Sequence, residues 1–286
     1  MTSSVNRILL IGDGAWSRKV NGAIRAPDES WKTEVISART FISMANDSSE
    51  FNKMLNKFEL IWITTTPQNQ IVILKQLQQF KKKLILEKPI VTRENEINVL
   101  QKIICDTHNQ IYLSQPWTFS LLWREAKKIL LTLEGALEIQ VERGGILLRP
   151  GLPPEIDWGP HDLYLLYDYT HDLGVKSSGI SLTSRIQKEN KIQLKYTLGT
   201  VTTFEIETGY INPRKALWKV YSHKKEVLSL NFQTSELVDY RGTRTIVSEF
   251  RGDNPIITML NHFNEDNIDI DWAVILDLYQ DLVRRE

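Results

Sequence analysis

The chain has 286 residues, of which 42% are apolar and 24% are charged, with 35 basic side chains against 35 acidic ones. A zero formal charge argues against a nucleic-acid or anionic-membrane partner, because no excess of one sign attracts phosphate. The single cysteine, Cys105, excludes an internal disulfide framework and a multi-cysteine metal site. No run approaches the ~20 apolar residues of a membrane helix, and the first apolar run is too short for a signal peptide, so we expect a cytoplasmic protein.

The first 115 residues alternate between short apolar runs and helical stripes. Strands are predicted at residues 7–11, 33–38, 60–63, 84–86 and 111–113. Helices are predicted at residues 15–26, at 48–57 with Asp47 and Ser48 as candidate caps, at 68–80 and from residue 92 onward. Strand and helix alternate with short connections, which require right-handed crossovers. The pattern therefore predicts a doubly wound parallel sheet with helices on both faces.

After residue 115 the pattern changes to that of a second domain, residues 116–286. Residues 119–134 look helical, and alternating or β-branched runs follow at 137–141, 192–198, 201–206, 216–221 and 227–232. These runs predict a large, mostly antiparallel sheet with one face covered and one face open. Helices are predicted near residues 163–169 and at 271–284. Because a large apolar face is unstable in water, we expect a homo-oligomer that buries the open face of this sheet.

A glycine pair follows the first predicted strand, in the sequence G-D-G-A-W-S at residues 12–17. Gly12 allows a tight turn, and Gly14 removes the side chain that would keep a pyrophosphate from the N-terminus of the first helix. Ser17 stands where G-x-G-x-x-G has its third glycine, so the motif is imperfect. A turn without a ligand is the alternative, but the position within a strand–turn–helix unit favours a dinucleotide.

The second predicted strand ends without an acidic residue. A site that prefers NAD places Asp or Glu there to bind the ribose 2′-hydroxyl, whereas this chain has Ala38 followed by Arg39. A guanidinium that reaches a 2′-phosphate is expected of an NADP site, although Arg39 is also compatible with an ordinary surface position. The sequence favours NADP over NAD. The predicted dinucleotide contacts are Gly12, Gly14, Ala15, Trp16, Ser37, Arg39, Thr65, Thr66, Pro67, Glu87 and Lys88.

Two further motifs carry groups suited to catalysis. Residues 87–89, Glu-Lys-Pro, follow the fourth strand, where open α/β sheets bind ligands, and Lys88 can donate to a substrate oxygen; a solvated lysine is the alternative. Asp157 and His161 are four residues apart, so a helical turn places them on one face. A carboxylate beside an imidazole suits proton removal from an alcohol, and an N-cap aspartate with a structural histidine is the alternative. No second histidine or cysteine has ligand spacing nearby, so no metal is predicted.

The order of these motifs resembles the glucose–fructose oxidoreductase/inositol dehydrogenase (Gfo/Idh/MocA) family. The matching segments are the G-x-G turn, T-T-P at residues 65–67, E-K-P at 87–89 and D-x-x-x-H at 157–161. The resemblance implies a Rossmann domain joined to an α+β domain with a large open sheet, and hydride transfer at a sugar or cyclitol carbon. It implies that Lys88 orients the substrate, that His161 is the acid/base and that Asp157 supports it. Three residues near the motifs are candidate substrate contacts: Trp117, Arg149 and Trp158.

We therefore expect an NAD(P)-dependent dehydrogenase or reductase acting on a small carbohydrate-like molecule: a sugar, nucleotide-sugar or cyclitol. Two alternatives stay open. One is a glycosidase of the same family that uses tightly held NAD for a transient oxidation, and the other is a non-catalytic dinucleotide-binding regulator.

Overall fold

The computed structural model of the chain describes residues 6–25, 31–44, 48–146, 151–199, 202–242, 254–265 and 270–284. Asp47, Arg149 and the predicted end of the first helix at residue 26 lie outside these residues. The chain forms two compact units, one of Met1–Ser114 with Ile256–Ile270 and one of Gln115–Pro255 with Asp271–Glu286. The sequence did not indicate that residues 256–270 group with the first unit.

The first unit is a parallel sheet with helices. Its strands are β1 (Asn6–Ile11), β2 (Trp31–Ile36), β3 (Leu60–Ile63), β4 (Lys83–Leu86) and β5 (Gln110–Leu113). Its helices before residue 114 are α1 (Ala15–Arg25), α2 (Ala38–Met44), α3 (Ser48–Leu55), α4 (Pro67–Leu77) and α5 (Glu94–Asp106). Every pairing is parallel, in the order β2-β1-β3-β4-β5. This confirms the predicted doubly wound sheet, in which the chain reverses its direction of progress between β1 and β3.

Burial explains why the strands of this sheet have almost no alternation. All four residues of β3 are buried, because helices cover both faces of a parallel sheet. The segment that returns from the end of the chain adds to this core, since Phe263 stacks on Tyr112 with ring centroids 4.5 Å apart. Asn261 accepts a hydrogen bond from the Trp31 indole at 3.1 Å. The return segment thus packs against β2 and β5.

The second unit is a seven-stranded sheet covered by helices on one face. Its helices are α6 (Leu121–Leu130) and α7 (Pro154–Asp172), and its strands begin with β6 (Leu137–Gly145). The further strands are β7 (Ile180–Lys188), β8 (Lys191–Leu198), β9 (Thr202–Tyr210), β10 (Lys215–Ser222), β11 (Lys225–Asn231) and β12 (Glu236–Asp239). The order is β12-β11-β10-β6-β9-β8-β7, and only β6 and β9 pair in parallel within the described chain. This confirms the mostly antiparallel sheet, although β7 and β12 were not predicted.

The helix predicted near residues 163–169 was too short. In the structure α7 runs over 19 residues from Pro154 and includes Gly159 and Pro160. These two residues are normally helix breakers, so local propensity disfavours a long helix through this segment. The remaining helices are α8 (Pro255–Glu265), which includes most of the return segment, and α9 (Trp272–Val283). Because α7 starts early, Asp157 and His161 both lie within it.

The open face of the seven-stranded sheet is charged. The expectation that this face is apolar is therefore wrong. Lys191 on β8 pairs with Glu207 on β9 at 3.0 Å. Lys215 on β10 pairs with Glu142 on β6 at 2.8 Å. Side chains of opposite sign therefore neutralise one another across neighbouring strands. The homo-oligomer stays a prediction, without the apolar surface as its reason.

Candidate functional site

The turn after β1 packs directly against the end of β3. Gly12 has a φ of +136°, and a Cβ built on it would lie 2.6 Å from the carbonyl oxygen of Thr64. Its N–H donates to the carbonyl oxygen of Ile36 at 2.8 Å. A side chain fits neither this conformation nor this space. The packing of β1 between β2 and β3 therefore requires glycine here whether or not a ligand binds.

Gly14 has no such packing requirement. It directly precedes α1, it has no positive φ, and a Cβ built on it would meet no atom within 4 Å. Because Gly14 has no side chain, a ligand can approach the N-terminus of α1. The first N–H groups of a helix lack partners within the helix and attract anions, so the residues present fit the pyrophosphate of a dinucleotide.

The other residues of this turn differ in burial. Ala15 is exposed at the start of α1, whereas Ser17 is buried and its hydroxyl has no hydrogen-bond partner among the described residues. A serine therefore fits the packed position where G-x-G-x-x-G has its third glycine. Trp16 is half-buried, and the Lys19 ammonium lies 5.3 Å from the centre of its ring.

The predicted adenosine end is the connection from β2 to α2. The Ser37 hydroxyl accepts a hydrogen bond from the Thr40 N–H at 3.1 Å and so caps α2. Ala38 is buried as the first residue of this helix, and Arg39 is exposed beside it. The strand predicted over residues 33–38 ends at Ile36, since the capped helix begins at once.

The predicted T-T-P segment joins β3 to α4. Pro67 is the first residue of α4 and is buried, while Thr66 is exposed in an extended conformation just before it. Thr65 accepts a hydrogen bond from the Asn69 side chain at 3.3 Å. Because Thr64 contacts Gly12, this segment lies beside the turn after β1.

Glu87 is a buried carboxyl at the same edge of the sheet, directly after β4. The Trp62 indole N–H on β3 donates to its Oε1 at 2.8 Å. The Trp16 indole and the Ser114 hydroxyl, which follows β5, lie close enough to favour the charged carboxyl, although neither forms a hydrogen bond of normal geometry with it. Glu87 therefore connects the turn after β1 with the ends of β3, β4 and β5. The structure thus brings the predicted dinucleotide contacts of residues 12–16, 65–67 and 87–88 to one edge.

Burial raises the pKa of Glu87 to about 7. The Trp16, Ser114 and Trp62 donors and the Lys88 charge act in the opposite direction and lower this pKa in part. The loss of hydration destabilises the ionised carboxylate more than these four groups stabilise it. Glu87 therefore changes its protonation state near neutral pH.

Gln70 fixes the backbone on both sides of Lys88. This buried α4 side chain donates from Nε2 to the Glu87 carbonyl oxygen at 2.9 Å and accepts from the Glu87 N–H at 3.0 Å. The same Nε2 lies 3.4 Å from the carbonyl oxygen of Pro89, and the Lys88–Pro89 bond is cis. Lys88, itself half-buried, thus projects from a backbone held by a neighbouring helix.

In the second unit, Asp157 and His161 lie one turn apart on α7. Asp157 is buried and His161 is half-buried. Pro160 lies between them in the helix and cannot donate the usual backbone hydrogen bond. Its carbonyl oxygen lies 3.4 Å from the Gln115 Nε2. The spacing that the sequence suggested is therefore realised on one helix.

A buried ion pair fixes the rotation of α7 about its axis. Asp162 is fully buried, and its Oδ2 lies 2.6 Å from the Arg143 Nε on β6. Its Oδ1 accepts a hydrogen bond from the Trp218 indole on β10 at 2.7 Å. A buried carboxylate needs such partners, and breaking the pair would leave a charge without compensation. Since Asp162 points into the core, the adjacent His161 projects from a different face of the helix.

The two described candidates for substrate contact have different surroundings. Trp117 packs edge-on against Phe232, with ring centroids 5.5 Å apart. The Arg143 guanidinium lies 4.9 Å from the centre of the same Phe232 ring. Trp117 is thus part of the packing of the second unit. Trp158 lies on α7 and carries the Arg214 guanidinium 5.1 Å from its ring centre.

Comparison with solved structures identifies the fold. The chain superposes on UDP-N-acetylglucosamine 3-dehydrogenase from Acidithiobacillus ferrooxidans with a TM-score of 0.70, at 14% identity over 96% of this chain and 95% of that one. It superposes on scyllo-inositol dehydrogenase from Lactobacillus casei, solved with NAD(H) and scyllo-inositol, with a TM-score of 0.64, at 12% identity over 98% and 96%. This is the fold of the Gfo/Idh/MocA oxidoreductases.

A third structure with the Gfo/Idh/MocA fold is a variant of a 3-ketoreductase from Actinomadura kijaniata in complex with TDP-benzene and NADP. It superposes with a TM-score of 0.67, at 10% identity over 97% of this chain and 96% of that one. No protein-family profile and no curated protein sequence matches the chain. Similarity therefore resides in the fold rather than in the sequence.

Four residues that lie next to the predicted ones in this fold were not predicted from the sequence: Trp62, Gln70, Ser114 and Arg214. Trp62 and Ser114 had a usable signal, because polar groups at the ends of parallel strands meet at one edge. Gln70 and Arg214 had none, since their contacts depend on how α4 and the segment before β10 pack against their neighbours. Among the described residues, no helix is long and apolar enough to cross a membrane, and no three histidine, cysteine or acidic side chains are grouped to hold a metal.

Proposed function

We propose that this protein is an NAD(P)-dependent oxidoreductase that moves a hydride to or from a carbinol or ketone carbon of a sugar, nucleotide-sugar or cyclitol. The observation that carries the proposal is Gly14. It is glycine where neither the backbone conformation nor the packing requires it, at the N-terminus of α1 in a doubly wound sheet. The activities of the structural neighbours, on a UDP-sugar and on scyllo-inositol, support the class of substrate.

The residues that would hold the dinucleotide are those at the carboxyl edge of the parallel sheet and at the start of α2. The bound cofactor supplies the acceptor or donor of the hydride. Gly14 would leave room for the pyrophosphate at the N-terminus of α1, and Gly12 and residues 65–67 would hold the neighbouring turns in place. Arg39 is assigned to the adenosine end, where an exposed guanidinium without an acidic neighbour in the β2–α2 connection favours a 2′-phosphate and hence NADP.

Three side chains are assigned to the reaction. Lys88 donates a hydrogen bond to the reacting oxygen of the substrate. His161 takes the hydroxyl proton as an alcohol is oxidised, or returns it as a ketone is reduced. Asp157, one turn away on α7, keeps the imidazole in the tautomer that accepts this proton.

Cofactor binding tests the proposal with two glycines of the same helix region. Gly14→Val should abolish NADPH binding, because the new side chain fills the approach to the helix N-terminus. Gly22→Ala is the matched control: it lies within α1, its Cβ also meets no atom within 4 Å, and it should leave affinity unchanged. Arg39→Ala should weaken NADPH by about 10- to 100-fold and NADH far less.

Titration calorimetry with NADPH and NADH measures these affinities. Unchanged NADPH affinity in Gly14→Val would place the site elsewhere, and equal losses of both cofactors in Arg39→Ala would remove the NADP preference. Absorbance of the nicotinamide during incubation with a panel of sugars then tests turnover. Sugar release without net change in absorbance would indicate the NAD-dependent glycosidase, and dinucleotide binding without any reaction would indicate the regulator.

A further inference from the structure

Arg214 and Trp158 form a stack at one end of the seven-stranded sheet. A Cβ built on Gly145, at the end of β6, would lie 3.0 Å from the Trp158 ring and 3.6 Å from the Arg214 side chain. A side chain at this position would therefore push the indole away from the strand by a few tenths of an ångström. The guanidinium carbon of Arg214 lies 5.1 Å from the centre of the same ring. The indole is therefore packed between the backbone of β6 and a cation.

The charge of Arg214 is not neutralised within the described chain. It is exposed, and none of the described carboxylates forms an ion pair with it. The next residue, Lys215, differs in this respect, because it pairs with Glu142 at 2.8 Å on the open face of the sheet. Two adjacent cations thus differ: Lys215 balances an acidic neighbour, and Arg214 lies over a ring in an exposed position.

Trp158 places this cation close to the proposed acid/base residue. Trp158 and His161 are three residues apart on α7, a spacing at which Cβ atoms are about 5–6 Å apart. The indole nitrogen of Trp158 is shielded from solvent and has no hydrogen-bond acceptor among the described residues. An unpaired buried donor is costly, and an acceptor on a ligand would satisfy it.

The first acidic side chain of α7 faces the other edge of the sheet. Glu155 accepts a hydrogen bond from Gln187 on β7 at 3.4 Å. Three strands separate β7 from β10, which begins next to Arg214, so the two strands are roughly 19 Å apart at the usual strand spacing. Asp157 is adjacent to Trp158 in sequence and therefore projects from a different side of the helix. The carboxylates of α7 thus leave the Arg214 charge available.

We propose that Arg214, stacked on Trp158, binds an anionic oxygen group of the substrate, so that the substrate is a phosphate- or carboxylate-bearing sugar rather than a neutral one. A guanidinium binds either group through paired N–H donors, and a ring behind it limits the orientations that it must lose on binding. The inference rests on the proposed function, because it assigns the substrate of that reaction.

Calorimetry on the full chain with four probes tests the proposal, in the presence and absence of saturating NADPH. The probes are N-acetylglucosamine, N-acetylglucosamine 1-phosphate, UDP-N-acetylglucosamine and glucuronate. At least one anionic probe should bind more tightly than the neutral sugar. Arg214→Gln should weaken that probe about 10- to 100-fold and leave the neutral sugar unaffected. Arg214→Lys keeps the charge but not the paired N–H donors, so its affinity for the anionic probe should lie between those of the wild type and Arg214→Gln.

Lys215→Gln is the matched control, because it removes the same charge from the adjacent position but on the open face. It should leave the affinity of every probe unchanged. If only glucuronate binds tightly, Arg214 binds a carboxylate. If only the UDP-sugar binds tightly, Arg214 binds a nucleotide diphosphate. Equal affinity for all four probes, no binding of any anionic probe, or the same loss in Lys215→Gln would overturn the proposal. If one of these outcomes is found while the wild type binds NADPH, only the anion site is overturned and the proposed oxidoreductase stands. If the wild type does not bind NADPH but Arg214→Gln still weakens the anionic probe, only the proposed oxidoreductase is overturned.

Discussion

At the scale of single residues, Glu87 is an ionisable group placed where water does not reach it. Its carboxyl accepts the Trp62 indole N–H at 2.8 Å, and its backbone is bonded on both sides by Gln70. The side chain therefore cannot turn toward solvent without breaking these contacts. Because Lys88 is the next residue, the protonation state of Glu87 also sets the charge beside the proposed substrate-orienting group.

Glu87 gives the stability of the protein a defined pH dependence. Its pKa is about 7 in the folded chain against 4.5 ordinarily, so between these values the folded chain binds the additional proton. The contribution of Glu87 is then fully present below pH about 4.5 and is lost as pH rises through 7. Each unit of pKa is worth about 1.4 kcal/mol, so the loss is about 3 kcal/mol.

Urea unfolding of the wild type and Glu87→Gln across pH 4 to 8 measures this loss. Glutamine has the same shape and does not ionise, so subtraction of the two free energies of unfolding removes all other titrating groups. The wild type should lose about 3 kcal/mol relative to the variant over this range. A difference that is independent of pH would show that Glu87 has an ordinary pKa.

The sequence located Glu87 and Lys88 at a strand end but not the groups that surround them. A parallel sheet brings the ends of its strands to one edge, so residues 12–16, 65–67 and 87–88 were predictable from the order of strands. Gln70 was not, because its contact with Glu87 depends on the rotation of α4 over the sheet. Such contacts follow from packing, which hydrophobic periodicity alone does not specify.

At the scale of elements, α7 combines a structural face and a face proposed for catalysis. Asp162 is bonded to Arg143 and Trp218 in the core, and this fixes the direction in which His161 projects. The sequence predicted the one-turn spacing of Asp157 and His161 but not the full helix. Local propensity disfavours Gly159 and Pro160, whereas burial of the apolar face of α7 on the sheet overrides it.

Substitutions along α7 separate these two faces. His161→Ala should lower turnover by ~10²–10⁴-fold with little change in NADPH affinity, since it removes a proton-transfer group. His171→Ala is the control on the same helix, because His171 is exposed near the C-terminal end and should leave turnover unchanged. Asp162→Asn should instead lower the stability by about 3–5 kcal/mol, as expected when a buried ion pair is broken.

Steady-state kinetics with an active sugar, together with thermal unfolding, distinguishes these effects. Lys88→Ala should impair both turnover and substrate binding, because Lys88 is proposed to hold the reacting oxygen. Asp157→Asn should do milder damage through the imidazole tautomer. Full activity in His161→Ala would remove the acid/base assignment while leaving the dinucleotide site untouched.

At the scale of the whole molecule, the open sheet face is the surface through which we predict that copies of the chain associate. Its two central strands, β6 and β9, carry glutamates, and the flanking strands β8 and β10 carry lysines. The pairs across these strands are Lys191–Glu207, Lys215–Glu142 and Lys195–Glu205, and Lys188 at the end of β7 also pairs with Glu207. Such a face offers little hydrophobic area, so contact through it would depend on charge.

The predicted homo-oligomer should therefore be sensitive to salt if it uses this face. The screening length falls from about 10 Å at 0.1 M to about 3 Å at 1 M ionic strength, so association should weaken by about tenfold or more over that interval.

Glu142→Lys reverses a charge in the acidic centre and should abolish association at low salt. Glu125→Lys, at a half-buried position on α6, reverses the same charge away from this face and should not abolish association. Sedimentation equilibrium of the three proteins measures these affinities. Association that ignores both salt and Glu142→Lys would place the interface on another surface, and a monomer at every salt concentration would show that the charges of this face are balanced within one chain.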